Sequence, residues 1–267
     1  MLATVTTYAQ RLTEKWTTEA TLKVPESVLL DSKNNVLYVS SIDGAPDNKD
    51  GNGFISQVGL DGKIKNLNWV TGLDAPKGMG LSKNNLYVAD ISRVVIIDIA
   101  TGKISNSLEI EGAKFLNDVT VDKSGNVYVS DSNTGTIHVI KDGKAEVYFK
   151  GPEIPGVNGL LAINDALYVV DFPSGTNYKL SKDKKLTKFS TTAEGADGIV
   201  PLGKDEYLVS SWHGEVAYVN SKGEATKLLD TRDKKLSAAD IEYDPKTKTL
   251  FVPTFNANTV MAYTFSK

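Results

Sequence analysis

GNVYVSD, residues 125–131, is a polar turn running into a short apolar strand centred on Tyr128, and the chain contains six versions of it. The others are NNVLYVSS (34–41), NNLYVAD (84–90), DALYVVD (165–171), DEYLVSS (205–211) and KTLFVPT (248–254). Their central residues, Tyr38, Tyr87, Tyr128, Tyr168, Leu208 and Phe251, follow at intervals of 49, 41, 40, 40 and 43. The polar insert IDGAPDNKDGNG (42–53) accounts for the long first interval. A fixed period of ~40 residues is the signature of a repeat architecture, and it leaves no room for a domain boundary.

Working outward from the central strand, each period has the same parts. A small-residue turn leads into a first strand such as NDVTVD (117–122), and a Gly/Asn turn reverses into the central strand. A third strand alternates apolar and polar residues, as in TIHVIK (136–141) or EVAYVN (215–220), the period of a strand with two different faces. A tight DGK, TGK or SKGE turn then gives a polar outer strand such as AEVYFK (145–150). Four strands per repeat, arranged radially, predict an all-β six-bladed β-propeller with four-stranded antiparallel blades. The sixth repeat stops after its third strand, TVMAYTF (259–265), leaving an open edge. The alternating segment TTEATLKV (17–24) is expected to pair there and close the ring. Residues 1–16 are then an N-terminal extension and 17–267 one propeller domain.

The composition narrows the function. Among 267 residues, 30 Lys+Arg face 33 Asp+Glu for a net charge of −3, which excludes a wholesale basic surface for nucleic acid. Cysteine is absent, so no disulfide, thiolate metal site or cysteine nucleophile exists. The two histidines are His138 and His213; His138 lies in an alternating third strand and reads as structural. No apolar run approaches the ~20 residues that span a membrane, and MLATVTTYAQRLTEKW has no signal-peptide pattern. The expectation is a soluble monomer, cytoplasmic or periplasmic, acting on a small molecule, with no nucleic-acid or membrane partner.

Repeat position becomes spatial position in a propeller, where first strands line the axis. Ten to twelve residues before each central residue stand Glu26, Lys77, Asn117, Asn158, Asp197 and Asp240, which should converge at one end of the axis. Asn and Asp also serve turns by bonding the local backbone. As a set, however, two carboxylates (Glu26, Asp197) and two amide carbonyls (Asn117, Asn158) make an oxygen donor group suited to a hard divalent cation. Ca²⁺ is favoured, with Mg²⁺ or Zn²⁺ as alternatives. Carboxylates gathered on a narrow axis without a cation would repel one another and have raised pKa values.

Glu26 in PES, Asn117-Asp118, Asn158-Gly159 and Asp197-Gly198 on successive blades resemble the senescence-marker-protein/gluconolactonase family of calcium-dependent hydrolases. Diisopropyl-fluorophosphatase and the paraoxonases share the axial arrangement. The likeness runs from about residue 20 to the end. It implies Glu26, Asn158 and Asp197 as direct ligands, and Asn117 as a ligand or a substrate-facing neighbour. The chain departs from the family around the first ligand, where Val-Pro-Glu-Ser-Val-Leu replaces Gly-Glu-Gly-Pro-x-Trp. No counterpart of the substrate-binding arginine of the sugar-lactone members can be placed.

Residues after the central strands should form the rim: Asn133, Phe172, Trp212, His213 and Phe255 as substrate-binding groups, joined by Lys77. The recurring Asp90, Asp131 and Asp171 are expected to shape local turns. The expected function is hydrolysis of a lactone or ester, with Asp197 as general base or nucleophile. The alternative is a non-catalytic propeller for ligand sensing or protein interaction, in which the cation only ties blades together. A strictosidine-synthase-like condensing enzyme shares the fold but not the Asn/Asp set.

Overall fold

The computed structural model describes residues 9–267. Among them are six four-stranded antiparallel sheets, each in simple sequential order except the last. The first blade is Pro25–Asp31, Val36–Ser41, Gly53–Gly59 and Ile64–Leu73. The expected six-bladed propeller is therefore what the chain forms. Its apolar side chains are shared between neighbouring blades. Val36, Tyr38 and Ile55 of the first pack with Met79, Leu86 and Val95 of the second, and the equivalent cluster recurs around the ring. Alternating strands bury both faces this way, one against each neighbouring blade.

Ring closure differs from the expectation. The outer strand of the sixth blade is Arg11–Thr17, paired antiparallel with Val260–Ser266 from Arg11↔Ser266 to Thr17↔Met261. Residues 18–24, expected to pair there, form a crossover held by Thr18 N–H on Val260 O (3.0 Å) and Leu22 N–H on Asn258 O (3.1 Å). The reason is distance. The chain must cross from the outermost strand of one blade to the innermost strand of the next, roughly three strand spacings of ~4.8 Å, before Pro25 begins. The alternation in TTEATLKV serves that crossing, with Leu22 fully buried. The extension is accordingly shorter than 1–16, since residues 11–16 belong to the propeller; residues 1–8 of it lie outside the described residues.

Trp16 bolts this closure to the first blade. Its ring lies 5.7 Å from that of Phe251, and its Nε1–H donates to Leu60 O at 3.1 Å. Gly62 approaches so closely that an added Cβ would stand 2.7 Å from the indole. Trp16→Ala should lower unfolding free energy by about 3 kcal/mol, the lower end for a large aromatic truncation because Trp16 is only half-buried. Urea denaturation followed by circular dichroism measures this. A loss below ~1 kcal/mol would mean the closing strand contributes little.

Candidate functional site

Five of the six axial residues are the second residues of inner strands: Glu26 in Pro25–Asp31, Lys77 in Pro76–Ser82, Asn117 in Leu116–Val121, Asn158 in Val157–Ile163 and Asp197 in Ala196–Gly203. In every case the pairing register to the second strand shifts there, between Pro25/Ser27, Pro76/Met79, Leu116/Val119, Val157/Leu160 and Ala196/Ile199. Such a bulge frees residues from the ladder and re-aims their side chains, here into the axis. The released backbone amides find serine hydroxyls on the second strand. Ser27, Asp118 and Gly198 N–H groups donate to Ser40, Ser130 and Ser210 Oγ at 3.0, 2.8 and 2.8 Å. Six inner strands meeting at one axis leave little room, and at Gly198 an added Cβ would stand 2.6 Å from Asp240 Oδ1.

Glu26, Lys77, Asn117, Asn158 and Asp197 all line one cavity of about 520 Å³, within the usual range for a small-molecule site. Asn133, Phe172, Trp212 and Phe255 line it as well, with Ile42, Phe115 and Ser132. His213, expected among the substrate-binding residues, does not. It is exposed and faces a separate cleft with Glu194, Ser211, Glu215 and Arg232. Gly195 is the cause: at φ +78°, it leaves space in which the imidazole rests, an added Cβ there falling 2.5 Å from His213 Cδ2. The ring instead backs the cavity wall, 5.6 Å from Trp212 and 6.1 Å from Phe172. Asp90, Asp131 and Asp171 cap the loops entering the inner strands. They accept from Ala75, Phe115 and Gly156 N–H at 2.8, 3.0 and 3.0 Å.

The electrostatics of the floor are unusual. Glu26 Oε2 and Asp197 Oδ1 are buried with no hydrogen-bond partner, a costly state for a carboxylate oxygen. Burial, then the Asp197 charge, push Glu26 well above its ordinary range, with Lys77 pulling the other way. Burial, then Asp118, do the same to Asp197, with the neighbouring Asn158 amide pulling the other way. Two carboxylates not expected among the site residues add to the group. Asp118 is raised to about 6 and Glu242 to about 7, both by burial first, and Asp240 is also raised well above normal. Their signal was a carboxylate on an inner strand, where apolar residues are the rule. Lys77, 1% exposed, is the cation on this floor; burial lowers it to about 8 against the pull of Glu26, Asp90 and Asp47.

Asn117 commits its amide nitrogen to the protein. Its Nδ2 donates to Ser132 Oγ at 3.1 Å, and that hydroxyl donates to Val157 O at 2.7 Å. Its carbonyl oxygen is thereby the uncommitted atom. Glu26 Oε2 and Asp197 Oδ1, both buried without a partner, thus share the cavity floor with the Asn117 and Asn158 amides, one residue from each of four blades. Among the described residues, no group of three or more His, Cys, Asp or Glu is spaced to hold a metal ion; half of this set is amide.

No family model and no curated protein matches the chain's sequence. Its fold is similar to solved structures of lyases. One is a catalytically inactive variant of virginiamycin B lyase from Staphylococcus aureus determined with quinupristin, with 17% identity, TM-score 0.68, and coverage of 96% of this chain and 99% of that one. Another is a streptogramin B lyase, with 12% identity, TM-score 0.71, and coverage of 96% and 98%. At such identities the likeness establishes the propeller and nothing finer.

Proposed function

We propose that the protein is a metal-dependent hydrolase of a lactone or ester, with one divalent cation, Ca²⁺ in the first instance, held by Glu26, Asn117, Asn158 and Asp197. The observation that carries this reading is a pair of buried carboxylate oxygens without a hydrogen-bond partner, Glu26 Oε2 and Asp197 Oδ1, on a cavity floor that also carries the Asn117 and Asn158 amides. Such a floor calls for positive charge, and oxygen-only donors in loose geometry suit calcium. When bound, the cation supplies Lewis-acid polarisation of a carbonyl oxygen.

The protein's own part is positional. Asp197 lines the cavity beside Asn158, and one oxygen of its carboxylate would accept the proton of an attacking water while the other would hold the cation. Ser132 fixes the Asn117 amide through the 3.1 Å bond. Phe172, Trp212 and Phe255 surround the substrate and exclude bulk water. The inactive virginiamycin B lyase variant has a histidine replaced by alanine. No histidine lines the cavity here, which favours proton transfer at a carboxylate over the chemistry of those lyases.

A pH-stat panel of aryl esters and lactones tests the proposal. Turnover should be abolished by chelation and restored by Ca²⁺, with one ion per chain by calorimetric titration. Turnover that survives chelation, or calcium binding without turnover of any ester or lactone, would overturn it; the second result would favour the non-catalytic propeller.

A further inference from the structure

One repeat position has a uniform character. The residue four after each central residue is Ile42, Ile91, Ser132, Phe172, Trp212 and Phe255 on the six blades in turn. Five of these six line the cavity, and Ile91 packs with Ile42 and Ala75 against Phe255 beside it. Five of the six are apolar, and the exception, Ser132, is engaged with Asn117 and Val157. Together they form a collar around the mouth of the site.

Among the described residues, the β-branched and aromatic residues with positive φ all lie at this collar. Ile91 has φ +59° and Phe255 φ +50°, and Val24, packed in the same cluster, has φ +52°. β-Branched and aromatic residues rarely adopt this left-handed region. Ser132, Phe172 and Trp212, at the same repeat position, have no positive φ, so blade geometry does not require it. Strain of this kind persists where a site depends on the placement it achieves; here it places Phe255 against Trp212, ring centroids 5.4 Å apart.

With the floor oxygens given to the cation, the cationic side chains that could recognise a charged or polyhydroxylated substrate are already engaged. Lys77 Nζ donates to Pro46 O at 2.8 Å and Ala75 O at 3.0 Å, and lies 4.3 Å from the centre of the Phe115 ring. Those three partners match its three protons. Arg93 is tied to Asp90 at 2.8 Å and Asp74 at 3.2 Å. Each hydroxyl of a sugar lactone would therefore lose water at the collar with little but exposed Asn133 to replace it.

We propose that the collar selects an uncharged lactone or ester with an apolar or aromatic body, and that Phe255 is a specificity-determining residue. This rests on the hydrolase reading and names its substrate class. The test compares kcat/KM for p-nitrophenyl esters from acetyl to hexanoyl, and for alkyl γ-lactones against glucono-δ-lactone. Wild type should gain about tenfold or more along the acyl series, since each buried methylene contributes about fourfold, and should prefer alkyl over polyol lactones by at least about tenfold. Phe255→Asn substitutes a residue that tolerates the left-handed region. It should keep a cooperative melt and flatten the chain-length dependence. A flat wild-type series, or preference for the polyol, overturns the proposal. In parallel, alkyl and polyol lactams, which resist hydrolysis, are titrated against Trp212 fluorescence. Tighter binding of the alkyl lactam without turnover of any ester supports the collar while the hydrolase reading fails; tighter binding of the polyol lactam overturns the collar by itself.

Discussion

Asp197→Asn should lower the rate of the proposed ester or lactone hydrolysis by at least ~10²-fold, the usual scale for losing a general base, with the fold retained and calcium bound more weakly. The substitution preserves size and one oxygen but removes the charge and the proton acceptor. Asp197 combines burial at 2% exposure, an unpartnered Oδ1 and a place on the cavity floor. Asp240 is the matched control. It is half-buried at the equivalent turn of the sixth blade, but its Oδ2 accepts from Ser27 Oγ at 2.6 Å and it does not line the cavity. Asp240→Asn should therefore cost far less. Steady-state rates at saturating calcium, with a thermal melt of each variant, decide the matter. Equal losses would remove Asp197 from its special role.

The second large effect is on stability. Without metal, the protein should lose stability as pH rises from about 5 to 8, and calcium should restore more at pH 8 than at pH 5. The sign follows from the direction of the shifts. Glu26, Asp118, Asp197, Asp240 and Glu242 are all raised in the folded protein. The folded state therefore holds protons that the unfolded chain has already released, and stability falls with pH across that interval. Asp118 alone, moved from 3.8 to about 6, loses about 1.4 kcal/mol between pH 5 and 8, roughly the one pKa unit that lies above pH 5 at 1.36 kcal/mol each. For a chain of this size that is about 3 °C in Tm. Calcium at ~1,000 times its Kd adds about 4 kcal/mol, and protons compete with it at low pH. Melts with chelator and with calcium at both pH values give the four numbers. A chelated Tm that stays level or rises toward pH 8, or an equal calcium increment at both, would contradict this account of the axis.

The fold was legible in the chain because a propeller is built from local rules written six times. Strand alternation, Gly and Asn turns and a ~40-residue period each depend on neighbours in sequence. Repeat arithmetic then carried Glu26, Lys77, Asn117, Asn158 and Asp197 to one end of the axis, where a single cavity receives all five. The apolar collar was equally present in the sequence, at four residues past each centre, yet its meaning as a ring needs the blades to be closed.

Other features depended on contacts between distant segments. The sixth blade is completed by Arg11–Thr17 and not by the alternating stretch 17–24. The choice of Arg11–Thr17 over 17–24 came from the space needed to cross to the next blade's inner strand, which spacing along the chain does not encode. His213 turned outward because Gly195, on another loop, left room for it. Lys77 became a committed donor once the 42–53 insert brought Pro46 O within 2.8 Å. The raised carboxylates follow the same logic, since desolvation is set by everything packed around a group. The sequence alone therefore determined the repeat, the strand order and which residues face the axis. Their ionisation, hydrogen-bond commitments and the identity of the closing strand were decided by the tertiary structure, because each depends on surroundings assembled from different blades.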